Sequence, residues 1–306
     1  MVEVKNLTKK YGSRTAIDNL NFTINAGEIV GFLGPNGAGK TTTMNIMSGF
    51  IAASAGDVKI NGIDIVDEPE RAKSNIGYLP DTPPLYGEMR VIEYLNFVAD
   101  IKGVRKNRKQ MLENIMEQVN ILSESRRLIR TLSRGYRQRV GLAQAMIGEP
   151  KVIIMDEPTT GLDPKQIIEM RDVIKNLGKK HTVILSSHIM QEVNAVCERV
   201  LIINNGKIAA QGTTENLSQG LHSGGQTLIR TKGNATQIEQ ALRLIPQLSN
   251  ITQEPQKEHG TIEFLVTADS DIREEIFLCM AKNNFPILQM KPKEFSLEEV
   301  FLSVTK

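Results

Sequence analysis

The sequence predicts an α/β fold: a parallel sheet that carries an antiparallel β-subdomain and a helical subdomain, followed by a small α+β domain. Three observations predict it. Short, wholly apolar strands alternate with helical stretches between Lys151 and Val200, the pattern of a parallel sheet buried on both faces. A glycine-rich loop, Gly34 to Lys40, directly follows a strand-like run, Glu28 to Leu33. Beyond Gly212 the composition shifts to Gln, Ser, Gly and Asn as far as Gly225, the mark of a linker, and a second set of strands and helices begins after it.

A chain of 306 residues has room for one large domain and one small one. The expected boundaries are 1–212, a linker over 213–225, and an accessory domain over 226–306. With 40% hydrophobic and 24% charged residues, the composition is that of a globular protein, neither disordered nor membrane-spanning. The net charge is +2 and basic and acidic residues are interleaved, so no polyanionic partner and no nucleic acid is expected. The dense basic run from Lys102 to Lys109 reads as a solvated loop and helix start. Cys197 and Cys279 have no second Cys or His at metal-ligand spacing and read as reduced, buried thiols, which suits a cytosolic protein. The N-terminus enters a strand pattern without the apolar stretch of a signal peptide. No apolar run approaches the roughly 18 to 20 residues that cross a bilayer, so action at a membrane would require a partner.

Up to Gly62, short β-like runs alternate with turn signals, and Asn61-Gly62 is a type I′ hairpin signal between Asp57-Val58-Lys59 and Asp64-Ile65; this predicts the antiparallel β-subdomain. From Val91 to about Ile121 the pattern is helical, with Met111, Leu112, Ile115, Met116 and Val119 on one face as core. Strand (Val152 to Met155), helix (Pro164 to Leu177), strand (Thr182 to Leu185) and helix (Met190 to Cys197) follow. A hairpin then turns at Asn204-Asn205-Gly206. In the last domain the order is strand (Thr227 to Thr231), helix (Thr236 to Leu244), strand (Asn250 to Pro255), strand (Thr261 to Thr267), helix (Asp271 to Asn283) and strand (Pro286 to Met290), a ferredoxin-like βαββαβ order. Ser296-Leu297-Glu298-Glu299 gives a capping box before a last short helix.

Gly34-Pro35-Asn36-Gly37-Ala38-Gly39-Lys40-Thr41 satisfies the G-x-x-x-x-G-K-[ST] phosphate-loop pattern in full. Its glycines let backbone N–H groups turn towards phosphate oxygens, Lys40 supplies a cation to the β- and γ-phosphates, and the Thr41 hydroxyl is placed to ligate Mg²⁺. Asp156 and Glu157 end an apolar strand. In a parallel sheet this sets Asp156 beside the phosphate loop as a Mg²⁺ holder and Glu157 as the group that orients and polarises the attacking water.

Leu132-Ser133-Arg134-Gly135-Tyr136-Arg137-Gln138-Arg139, placed before a helical run from Val140 to Ile147, resembles the LSGGQ signature of ABC ATPases. Ser133 and the Gly135 backbone at a helix N-terminus form an anion site, which is redundant within one chain that already has a phosphate loop. The resemblance implies that Ser133, Arg134, Gly135 and Gln138 serve an ATP held by an opposing subunit. It further implies ATP binding by Tyr11 (stacking on adenine), Gly34, Pro35, Asn36, Gly37, Ala38, Gly39, Lys40, Thr41 and Thr42, catalytic roles for Glu157, Lys40 and His188, the last as the switch histidine that contacts the γ-phosphate, and a D-loop, Gly161-Leu162-Asp163, whose Asp163 touches the partner. The Q-loop departs from the pattern. After Gly77-Tyr78-Leu79-Pro80 the Q-loop has Asp81 in place of Gln, which keeps an oxygen for Mg²⁺ but adds negative charge and loses an amide donor.

The likeness covers residues 1 to about 212. Thr159-Thr160-Gly161-Leu162-Asp163-Pro164 and Leu297-Glu298-Glu299-Val300-Phe301-Leu302 look like the ABC-2 exporter subgroup, and the gliding-motility-associated ATPases within it are similar. That resemblance implies an ATP-hydrolysing motor with Mg²⁺ as cofactor, a homodimer or paired ATPase subunit, a separate transmembrane permease subunit that chooses the substrate, export as the direction, and a cytoplasmic place on the inner face of the membrane. The alternatives are a soluble non-transport ABC ATPase and an ATP-dependent switch without turnover.

Overall fold

The computed structural model describes residues 1–220, 225–255, 260–293 and 297–305. The chain divides into two compact units, Met1–Thr214 with Ser303–Lys306, and Glu215–Leu302. In the first unit β1 (Val2–Tyr11) and β2 (Arg14–Ile24) form a long antiparallel pair, and β3 (Ile29–Leu33) runs into α1 (Lys40–Met47) through the glycine-rich loop. Next come β4 (Ala55–Ile60) and β5 (Ile63–Asp64), joined by Asn61 and Gly62 at φ +51° and +78°. Both values are those of a type I′ turn. The β-subdomain is this sheet, in the order β2-β1-β4-β5.

After α2 (Pro69–Ser74) and β6 (Ile76–Leu79), the stretch expected to be one helical run is two helices, α3 (Val91–Ile101) and α4 (Arg108–Gln118). Gly103 at φ +67° and Asn107 at φ +50° break it, because left-handed residues cannot continue a right-handed helix. Leu112, Ile115, Met116 and Val119 are buried, while Met111 is half-buried at the edge of that face. The helix expected from Val140 starts earlier: α5 spans Arg134–Met146 with Ser133 as its N-cap, so the signature is its first turn.

The larger sheet is built by β7 (Val152–Asp156), α6 (Pro164–Gly178), β8 (Thr182–Ser187), α7 (Met190–Val196), β9 (Arg199–Asn204) and β10 (Lys207–Thr213), in the order β10-β9-β3-β8-β7-β6. Strands β6, β7, β8, β3 and β9 are parallel, and β10 returns antiparallel through Asn205-Gly206. Every residue of β3, β7 and β8 is buried, as a sheet covered on both faces requires. Burial of the aliphatic side chains among them, about 2 kcal/mol each, drives the assembly.

The second unit contains α8 (Thr214–Gly220), β11 (Gly225–Thr231), α9 (Ala235–Leu242), β12 (Leu248–Glu254), β13 (Ile262–Ala268), α10 (Arg273–Lys282) and β14 (Ile287–Pro292), and α11 (Leu297–Thr305) closes the chain. Its antiparallel sheet has the order β12-β13-β11-β14 and its own core of Ile229, Phe264, Val266, Ile276 and Met280. The β-α-β-β-α-β succession read from the sequence is present. The stretch read as a linker starts instead in β10 and continues as α8, whereas 221–224 and the expected cap Ser296 lie outside the described residues. Cys197 is buried, but Cys279 is only half-buried.

Candidate nucleotide-binding site

The edge of the large sheet where β3, β7 and β8 end holds the site. A cavity of about 560 Å³ there is lined by Tyr11, Asn36, Lys40, Thr41, Asp156, Glu157 and His188, with Gly37, Gly39, Thr42 and Asp81. At Gly39, φ is +111° and a Cβ would stand 2.9 Å from the Ala16 carbonyl oxygen, so the last turn of the loop has room for glycine alone. Gly34 and Pro35 accept hydrogen bonds from Lys40 Nζ at 2.8 and 3.3 Å through their carbonyls, and Ala38 donates its N–H to Pro35. The ammonium of Lys40, 5% exposed, is thereby aimed along the loop and lies 3.6 Å from Glu157 Oε1.

Parallel pairing of β7 with β8 sets Asp156 opposite Ser186, whose hydroxyl donates to Asp156 Oδ1. The same hydroxyl accepts the Glu157 N–H at 3.0 Å. Burial pushes the Asp156 carboxyl above the usual carboxylate range; hydrogen bonds from Ser186 and Thr41 oppose the rise, and the charges of Glu157 and Asp81 add to it. Glu157 adopts φ +49°, a left-handed conformation that costs a non-glycine residue on the order of 1 kcal/mol and turns its side chain into the cavity. Its Oε2 lies 2.8 Å from His188 Nδ1, and Thr160 donates to the same oxygen at 3.3 Å. The pair brings the expected base and the expected switch residue together.

Tyr11 is half-exposed at the mouth, with Lys9 Nζ over one face of its ring at 5.1 Å. The signature lies elsewhere. Ser133 caps α5 by accepting the Tyr136 N–H at 3.4 Å, and neither Ser133 nor Gly135 lines the cavity. Arg134 and Gln138 line a second recess of about 370 Å³, which also reaches Asp81. Asp163 is exposed and N-caps α6, accepting from Gln166 N at 2.8 Å. Gln138 is 3% exposed and donates to the Asp81 carbonyl at 3.3 Å, from the inner face of α5.

Ser186 and Thr160 are site residues that the sequence reading passed over, as is Arg14, which also lines the cavity. The signal for Ser186 was a pair of polar residues, Ser186-Ser187, ending an otherwise apolar strand.

A phosphate loop, a strand-end carboxylate pair and a facing histidine at one sheet edge define a nucleoside-triphosphate-hydrolysing protein. A family model described as ABC transporter matches residues 17–160. Along its whole length the chain is similar to two proteins of Bacillus subtilis (strain 168). One is the uncharacterized ABC transporter ATP-binding protein YxlF, 32% identical over 305 residues and 99% of each chain. The other is the linearmycin resistance ATP-binding protein LnrL, 30% identical over 313 residues, 100% of this chain and 98% of the relative. Among solved structures, a dimeric post-hydrolysis state of the ATP-binding cassette MJ0796 bound to ADP and Pi is 26% identical, with a TM-score of 0.64 over 70% of this chain and 98% of that one. The chain belongs to the ATP-binding proteins of ABC transporters, and it is an ATPase.

Proposed function

We propose that this chain is the motor of an ABC-2 type exporter, in which two ATP-binding units close head-to-tail on two ATP molecules and drive a separate permease from the cytoplasmic face of the membrane. One observation carries the dimer: Ser133 and Gly135 stand at a helix N-terminus outside the cavity of their own chain's phosphate loop. A second phosphate-binding element so placed is of use to a nucleotide on another subunit. The dimeric cassette MJ0796 supports the same arrangement, and the resistance role in the name of LnrL supports export.

Within the closed site, Lys40 and the loop N–H groups hold the triphosphate and Tyr11 stacks on adenine. Glu157 orients the attacking water and takes its proton while His188 donates to the γ-phosphate. Mg²⁺ fits the residues present. The donors are oxygens alone, the Thr41 hydroxyl and the Asp156 carboxylate with Asp81 at hand, as a hard cation requires. Burial raises Asp156 most, and the charges of Glu157 and Asp81 add to the rise; a divalent cation would relieve the negative potential these carboxylates create together. Bound there, the ion would neutralise charge on the β- and γ-oxygens.

Among the described residues no helix is long and apolar enough to cross a membrane, so transport falls to a partner. An apolar-lined cleft of about 620 Å³ offers it a seat: Phe50, 75% exposed, lines it with Tyr78, Pro80 and Pro84, and the cleft reaches Asp81 and Asp156. A segment docked there would meet both the apolar surface and the metal-side carboxylates.

Glu157→Gln tests the reading. Replacing the carboxylate should lower ATP turnover by about 100-fold or more and leave an ATP-bound dimer that light scattering detects. Turnover at the wild-type rate would remove Glu157 from its role.

A further inference from the structure

Two of this chain's departures from the commonest family pattern meet each other. Asp81 stands where the Q-loop has Gln, and Arg134 stands where an LSGGQ sequence has its first Gly. Arg134 Nη2 lies 3.7 Å from Asp81 Oδ1, with both side chains half-exposed. The rest of the guanidinium rests on the D-loop: a Cβ at Gly161 would stand 2.7 Å from Arg134 Nη1 and 2.8 Å from Cζ. Gly161 also has φ +74°, so the D-loop backbone takes a path open to glycine and leaves the guanidinium its space.

Asp81 is placed between two demands. It lines the cavity of the phosphate loop, where its charge adds to those of Asp156 and Glu157, and it lines the recess that holds Arg134. Like charges push it from the first, and Arg134 draws it to the second. An exposed pair at this distance contributes little and is easily broken. A carboxylate oxygen on a divalent cation and a guanidinium on a phosphate are both stronger contacts.

We infer that Arg134 and Asp81 form an exchangeable ion pair that couples the two nucleotide sites of the dimer proposed above, on which this inference rests. Mg²⁺ and ATP on a subunit's own phosphate loop draw Asp81 away, and the released Arg134 adds a cation to the triphosphate held by the partner subunit. Occupancy of one site thus reports on the readiness of the other, a coupling free energy between distinct sites. A static brace, the alternative, would keep the pair intact through closure.

A double-mutant cycle on ATP-driven dimerisation separates the two. In the Glu157→Gln background with Mg²⁺, light scattering gives the ATP concentration for half-maximal dimer in four proteins: no further change, Asp81→Asn, Arg134→Ala, and both. A pair retained on closing cancels from the cycle, whereas a pair broken on closing does not. Asp81→Asn should lower that concentration about threefold more when Arg134 is present than in the Arg134→Ala background. Arg134→Lys should keep the coupling. Thermal melts check that each variant is folded, and Arg134→Gln carries the cycle should Arg134→Ala not fold. Additive effects, within about 1.5-fold, overturn the inference alone. Failure of Glu157→Gln itself to dimerise at any ATP concentration overturns the dimer and this inference with it.

Discussion

Glu192 is a carboxylate 4% exposed that accepts hydrogen bonds from the hydroxyls of Thr159 and, at 3.3 Å, Ser187. Thr159 is in the turn after Glu157 and Ser187 precedes His188, so Glu192 closes a ring that fixes the base against the switch histidine. It is a positioning residue, since it touches no cavity atom. Both hydroxyls donate to the same oxygen, Oε2, so Glu192→Ala removes the acceptor of both, and each buried hydroxyl left without a partner costs about 1–3 kcal/mol. Steady-state kinetics should show kcat falling about tenfold while KM for ATP is unchanged, and an unaltered kcat would count against the ring. At this scale the phosphate loop, Asp156 and Glu157 were legible in the sequence because their chemistry demands residue types at fixed spacing, and His188 was legible only through the family resemblance. Glu192, Ser186 and the Asp81–Arg134 contact were not, because each depends on which strand end or loop faces another across the sheet.

Helices show the same division. The apolar face of α4 was legible from its spacing, but the break before it was missed, because an Asn in the left-handed region leaves no mark on hydrophobic periodicity. The basic run at the break was read as solvated. Yet Lys102 Nζ donates to Ile147 O at 2.7 Å and Gln144 O at 3.3 Å, capping the end of α5. Although the residue as a whole is exposed, its ammonium is tucked against these carbonyls, and desolvation there pulls it from 10.5 down to about 8. The unfolded chain therefore binds the proton more tightly, and stability gains as pH rises from about 8 towards 10.5. Lys102→Met lacks this titration. Urea midpoints should move in favour of the wild type, relative to Lys102→Met, between pH 7.5 and 9.5, and a shift the other way would contradict the burial.

For the whole molecule, the two units have separate hydrophobic cores, one around Phe22, Phe32, Met44 and Ile154 and the other around Ile229, Phe264 and Val266. Separate cores allow separate unfolding. A ligand stabilises only what it binds, by about 2.7 kcal/mol at a hundredfold excess over Kd. Calorimetry of the full chain should therefore show two transitions, of which Mg²⁺-ATP raises one; a single transition raised as a whole would show the units to be thermodynamically one. The succession of elements in both units was readable from turns and apolar runs, whereas the start of the second unit was misplaced, since a polar, glycine-containing stretch can equally well be a helix such as α8.

The backbone of Glu157 has a bearing on how such a protein can change over generations. A glycine there would relax φ +49° and leave the folded chain more stable, while removing the carboxylate that turnover depends on. Selection for durability and selection for work thus pull this codon in opposite directions. Heat-tolerance screens blind to turnover would drift towards a sturdier chain that still clasps its nucleotide and never lets it go.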